Sequence, residues 1–404
     1  MRACLWMVIG MIGLAVALVS PALAAEDVQV ALFVMLSGPG VDLGKMSRDG
    51  AEMAAEDING SGGIKALGGA KIKLIVADVT SNAAQAPSVT ERTLSTGKIS
   101  GAIGYGASQM TLTSLPVIEK SQIPLVTSSI SDKITQQGYK YVFEICPKGS
   151  HFGATQVLFL SYLRKKYNLP IKQIGFVYEN TAYGTSTAEG LKQTALKEGY
   201  KIGLFEAYDA KFTDASPLVT KIKASGVDVI FPVSYTTDAE LIISTMQAMR
   251  VNPLVIGGGA GFIWPDIYKS LGEKINGVFS VGSWSWDSKN IMSDPQRRSV
   301  VERYKKRFGT FMPEQAGEHY AMVWTLKEAI EKARSTDPKK IRDALSSIEI
   351  TRGPAALMQP GRIKFNETGW NLYVHPTMIQ WQKGEPRTVY PEEDATHEVI
   401  WPVK

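Results

Sequence analysis

Cysteine and histidine are nearly absent from this sequence. Its 404 residues include two of the first, Cys4 and Cys146, and four of the second, His151, His319, His375 and His397. Two cysteines cannot build a disulfide scaffold or a thiolate metal cluster. The four imidazoles are scattered, none with a partner at metal-ligand spacing, so neither a metal nor a cofactor is expected. Charge of one sign is also thin. Lys plus Arg is 44 and Asp plus Glu is 39, a net of +5 with no run of five like charges. Nucleic acid is therefore not expected as a partner. There is no G-x-S-x-G elbow, no Walker A sequence and no supported S-x-x-K. The carboxylate clusters Glu26-Asp27 and Glu392-Glu393-Asp394 lie in end segments where a solvated face accounts for them. The chain does not read as an enzyme. What is present is a globular composition, 44% hydrophobic and 21% charged with 37 Gly and 20 Pro, in a length that suits about two to three domains.

The first two dozen residues stand apart from the rest. Arg2 is the only charge before Glu26, residues 5–19 are apolar, and Ser20-Pro21 precedes Ala22-Leu23-Ala24. A basic start, a short apolar middle and a small-x-small site form a secretory signal peptide, here residues 1–24. The apolar run is too short for the ~20 residues that span a bilayer. Ala25, where a lipoprotein would need cysteine, argues against a lipid anchor. An exported chain left with Cys146 alone has no internal disulfide and must rely on large cores.

Beyond residue 25, strand and helix patterns alternate. β-branched runs at 28–35, 71–78, 100–104 and 124–127 are separated by helical stretches at 47–58, 84–95 and 111–120. A second series follows Pro147, with strands at 173–178, 201–207, 229–233 and 254–257. Such alternation predicts an α/β fold of parallel sheets covered on both faces, one doubly wound unit performed twice. After Asn276 the order loosens into helices, and residues 362–381 read as extended around the turn Asn366-Glu367-Thr368-Gly369.

Chemistry is sparse, and position carries most of the signal. The clusters Gly101-Ala102-Ile103-Gly104-Tyr105-Gly106 and Gly257-Gly258-Gly259-Ala260-Gly261 each follow a strand, and serve equally as tight turns or as backbone approaching a ligand. Ser108 lies just past the third strand, and Ser128, Ser129 and Ser131 just past the fourth. In open α/β sheets ligands gather at the carboxyl ends of strands, where helix N-termini bind anions. These serines are either N-caps or a shared carboxylate site.

The sequence resembles the type I periplasmic binding proteins of branched-chain amino acid ABC importers, the leucine/isoleucine/valine-binding protein group. The resemblance spans nearly the whole chain after residue 24. It is carried by Leu36-Ser37-Gly38-Pro39, by Gly50-Ala51-Glu52 through Ala55-Glu56-Asp57-Ile58-Asn59 with Gly62-Gly63-Ile64, by Ile103-Gly104 to Ser108, by Ile123-Pro124-Leu125-Val126-Thr127 and by Tyr183-Gly184. It implies two doubly wound lobes joined by a three-segment hinge, with crossings near Pro147, Gly282 and Arg362. Lobe one is then 25–147 and 282–362, and lobe two is 148–281 and 363–404. It also implies a ligand held between the lobes. Ser108 falls on the serine that binds the ligand carboxylate, Ser129 where a backbone N–H contributes, and Ser131 where a threonine hydroxyl does. Tyr183 and Tyr235 match the far-lobe tyrosines, and Leu43 a near-lobe contact.

Two departures follow. The amino acid binders of the group carry a glutamate for the α-ammonium where this chain has residues 258–261, with Gly259 and no acid; and Ala107 replaces one half-cystine. Trp264, Phe262, Trp284 and Trp286, with Tyr105, serve either as packing or as faces for a planar ring. The expected function is a periplasmic solute-binding protein, a monomer, delivering a small carboxylate to a membrane ABC permease; an aromatic or 2-oxo acid fits the missing charge. The alternatives are a branched-chain amino acid whose ammonium is held by another acid or by π faces, and a ligand-sensing subunit of a membrane receptor.

Overall fold

A computed structural model describes residues 26–209 and 212–402; the signal peptide expected at 1–24 lies outside the described residues. The first sheet holds β1 (Val28–Val34), β2 (Ile72–Asp78), β3 (Ile99–Gly104), β4 (Leu125–Thr127) and β5 (Val142–Glu144), all parallel, in the order β2-β1-β3-β4-β5. Every residue of β1 except Gln29 is buried, because helices cover both faces of the sheet.

The second sheet repeats that winding. Its parallel part is β6 (Gln173–Glu179), β7 (Lys201–Tyr208), β8 (Val229–Val233), β9 (Leu254–Gly257) and β10 (Phe279–Gly282), in the order β7-β6-β8-β9-β10. A short ladder of β11 (Glu349–Ile350) with β12 (Ile363–Lys364) stands apart. The hairpin of β13 (Thr377–Gln382) and β14 (Glu385–Tyr390) then adds two antiparallel strands beside β10. The second sheet is therefore mixed, and β5, β10, β11 and β14 go beyond the strands expected from sequence.

Each sheet reverses its winding once, between β1 and β3 in the first and between β6 and β8 in the second. Such switch points leave a crevice at the carboxyl ends of the strands. The helix Val41–Gly60 follows β1 and Ser108–Ser121 follows β3, while Ala182–Lys197 follows β6 and Thr236–Ala248 follows β8. The chain first leaves the first sheet after β5 and leaves the second after β10. The third passage comes later than Arg362. The Glu144 N–H donates to the Gly369 carbonyl at 2.8 Å and the Asn371 N–H to the Glu144 carbonyl at 2.9 Å, which holds the chain to the first sheet's edge up to Asn371. The turn at Asn366–Gly369 is present, closed by the Gly369 N–H on the Asn366 carbonyl.

One close approach fixes a helix that matters below. A Cβ on Gly50 would lie 2.0 Å from the Ala316 carbonyl oxygen. The helices Val41–Gly60 and Glu314–Ala333 thus meet backbone to backbone at that point, and the start of the second is pinned beside the first switch point.

Candidate functional site

The two switch points line one narrow cavity. Leu43, Ser108, Ser128 and Ile130 face it from the first lobe, and Phe152, Tyr183, Tyr235 and Trp264 from the second. Ser108 opens a 14-residue helix, whose first-turn N–H groups have no intrahelical acceptor and favour an anion. The Ser108 Oγ accepts the Ser131 N–H at 3.1 Å, which leaves its own hydrogen for a ligand. Ser131 thus supports Ser108 from behind rather than lining the cavity. Ser129 is also set back. Its Oγ pairs with the Thr111 hydroxyl at 2.6 Å, and its N–H donates to the Thr127 hydroxyl at 3.2 Å. Ser128 takes the lining position, with a buried Oγ.

On the far side Tyr183 donates to the Gly258 carbonyl, and its ring lies 5.2 Å from that of Tyr235, tilted by 52°. Burial pushes both phenols well up, so they remain neutral donors. Trp264 presents an indole Nε1 that is buried without an acceptor among the described residues. Gly259 sits behind Tyr183 at φ 96°, in the left-handed region, with its N–H on Ser280 Oγ at 3.1 Å. A Cβ on Gly258 would come 2.8 Å from the Val233 Cα, and one on Gly261 2.5 Å from the Tyr235 carbonyl. Close packing against β8 and the turn after it therefore explains Gly258 and Gly261, and the left-handed backbone explains Gly259.

Other aromatic candidates lie outside the cavity lining. Tyr105 is buried in the first lobe, stacked on Phe33 at 4.9 Å with its hydroxyl 2.7 Å from that of Thr90. Trp284 Nε1 donates to the Leu357 carbonyl and Trp286 Nε1 to that of Pro386, and Phe262 is fully buried. Packing is their work.

Residues 258–261 hold no acid, but the cavity has acids from elsewhere in the chain. Glu314, Gln315 and Glu318, at the start of the helix Glu314–Ala333, line it together with Ser283, which follows β10. Glu314 Oε1 accepts the Ser283 N–H at 2.5 Å and lies 2.7 Å from Ser283 Oγ, which also touches Glu318 Oε1. Glu318 is 1% exposed and its Oε2 has no hydrogen-bond partner among the described residues, although the Ser128 hydroxyl lies beside the carboxylate. Burial raises both acids, Glu314 to about 7, and the charge of Glu314 drives Glu318 higher still. The signal in the sequence was an i, i+4 pair of glutamates opening the helix Glu314–Ala333, whose residues 314–326 are all buried.

Comparison with known proteins agrees with this architecture. The family described as "Periplasmic binding protein" matches residues 27–380. A curated relative, the Leu/Ile/Val-binding protein homolog 7 of Brucella suis, is 29% identical over 402 residues, 97% of this chain and 98% of its own length. Among solved structures, a leucine-binding protein from Thermotoga maritima superposes with a TM-score of 0.79 at 20% identity, covering 90% of this chain and 98% of its own. A branched-chain amino acid transporter substrate-binding protein from Streptococcus pneumoniae, in complex with isoleucine, gives 0.77 at 22%, covering 91% and 100%. A solute-binding protein from Rhodopseudomonas palustris, in complex with 3,4-dihydroxybenzoic acid, gives 0.76 at 17%, covering 93% and 98%.

Proposed function

The chain belongs to the periplasmic binding protein family, the solute-binding components of ABC transporters rather than enzymes, and on that premise we propose that it captures a small carboxylate-bearing solute between its lobes and delivers it to a membrane permease. The observation that carries this reading is the cavity between the switch points, where Ser128 Oγ, Trp264 Nε1, Gln315 Oε1 and Glu318 Oε2 are buried with no hydrogen bond of ordinary geometry among the described residues. Buried polar groups are normally paired, so four such atoms on one cavity mark a site that a ligand completes. Ser108 and the helix end behind it receive the carboxylate. Leu43, Phe152 and Trp264 surround the solute's apolar part. A carboxylate is the feature shared by isoleucine and 3,4-dihydroxybenzoic acid, the ligands of two structural neighbours. The preference for an aromatic or 2-oxo acid rested on the missing acid at residues 258–261, and Glu314 and Glu318 bring acids to the cavity from another element. An amino acid is the reading the geometry favours. The protein acts as a monomer in the periplasm after residues 1–24 are removed.

Contacts from both lobes let the ligand bias a closed state. A thermal-shift screen of amino acids and organic acids identifies the solute. Small-angle scattering with and without it then shows a smaller radius of gyration at saturation. Superimposable curves contradict capture by closure.

A further inference from the structure

Several other buried charges among the described residues are answered by their neighbours. Lys148, buried at the passage after β5, is tied to Glu144 and Thr135. Asp287, buried beside the terminal hairpin, is answered by Thr388, Thr396 and His397. Glu314 and Glu318 differ. Neither forms an ion pair among the described residues, both are buried, and they converge on the one hydroxyl of Ser283. That hydroxyl has a single hydrogen and donates it to one carboxylate only. The second carboxylate is left without that hydrogen, and burial beside a like charge favours a proton on the empty pair. Two buried carboxylates around one serine are a poor arrangement for stability, since like charges and burial both oppose ionisation.

We propose that Glu314, Glu318 and Ser283 form the subsite for a positively charged group of the ligand, a primary ammonium above all, which enters in exchange for a proton. This rests on the reading that the cavity is the solute site. The ammonium keeps its three hydrogens and directs them to Glu314, to Glu318 Oε2 and to Gln315 Oε1, the last two without a hydrogen bond of ordinary geometry among the described residues. The proton held by the pair leaves to water. Ser108 lies on the same cavity, so a zwitterion is matched by a donor site for its carboxylate and an acceptor site for its ammonium. Among the described residues no other group facing the pair supplies the positive charge. On the same helix, burial pushes His319 down to about 4, which keeps it neutral, and its Nδ1 is bonded to the Gln315 carbonyl. Opposite lie the Cys146 thiol and the Tyr183 and Tyr235 phenols, all raised by burial.

The test is calorimetric titration of the mature protein with matched pairs: the twenty common amino acids against their 2-oxo counterparts, with 3,4-dihydroxybenzoate as a further cation-free probe. The tightest binder should be an ammonium compound, at least tenfold tighter than its 2-oxo partner. Repeating the titration at pH 7 in buffers of different ionisation enthalpy should show proton release. Glu318→Gln should weaken the ammonium compound at least tenfold and leave the cation-free partner within about twofold; Glu314→Gln serves if that variant does not fold. A cation-free compound as the tightest binder, no binding by any ammonium compound, or affinities unchanged in both variants overturns the subsite. Failure of the underlying reading looks different: tight binding that neither Ser108→Ala nor Tyr235→Ala alters places the ligand elsewhere.

Discussion

Replacing both buried acids, in Glu314→Gln/Glu318→Gln, should make the unliganded protein more stable, by a margin that widens as the pH rises. Each acid has a folded-state pKa above its unfolded value. Its contribution is complete below the unfolded value near 4.5 and is lost as the pH climbs through the raised value. For Glu314, moved from 4.5 to about 7, the loss is roughly 3 kcal/mol at 1.36 kcal/mol per unit. Glutamine does not titrate, so the variant escapes it. Denaturation of both proteins at pH 5 and pH 8 checks this, because the other titrating groups cancel in the comparison. A stability difference that stays constant between the two values would show that the pair does not hold its proton. The same strain explains the design: a saturating cationic ligand stabilises the wild type most where the pair costs most.

Removing the hydroxyl of Ser108 should cost affinity from the other end of the ligand. Hydrogen bonds to a charged group contribute about 1.5–3 kcal/mol, so Ser108→Ala is expected to weaken binding roughly ten- to a hundredfold. The Ser131 N–H, which donates to Ser108 Oγ at 3.1 Å, loses its acceptor in the same variant. Calorimetry on Ser131→Ala separates the two effects: that change leaves the backbone N–H in place and should shift affinity by less than threefold. Equal losses in both variants would move the carboxylate subsite toward Ser131.

Much of the fold is legible because parallel strands buried on both faces write themselves as continuous β-branched runs. β1, β6 and β8 are such runs, each followed by a turn and a helix. β5 and β14 escape because Val142–Glu144 is three residues long and Glu385–Tyr390 mixes charge and proline with apolar residues; both gain their pairing from tertiary neighbours. Site residues divide along a similar line. Ser108, Tyr183 and Tyr235 directly follow strands at the two switch points, so topology alone brings them together. Ser129 and Ser131 sit two or four residues past β4, and the turn rotates them behind Ser128 and Ser108. Tyr105 follows β3 as Tyr183 follows β6, but its ring turns inward onto Phe33. Glu314 and Glu318 were beyond reach of local reasoning. They come from a helix more than 30 residues past β10, where no switch-point argument applies, and reach the cavity only because Gly50 admits the Ala316 backbone.

The central claim, that a solute is held between the two switch points, is tested most directly by determining the structure of the protein with its tightest-binding solute. Electron density is predicted between Ser108 on one side and Tyr183 and Tyr235 on the other, with the ligand's positive group against Glu314 and Glu318. Density confined to one lobe, or outside this cavity, would contradict it.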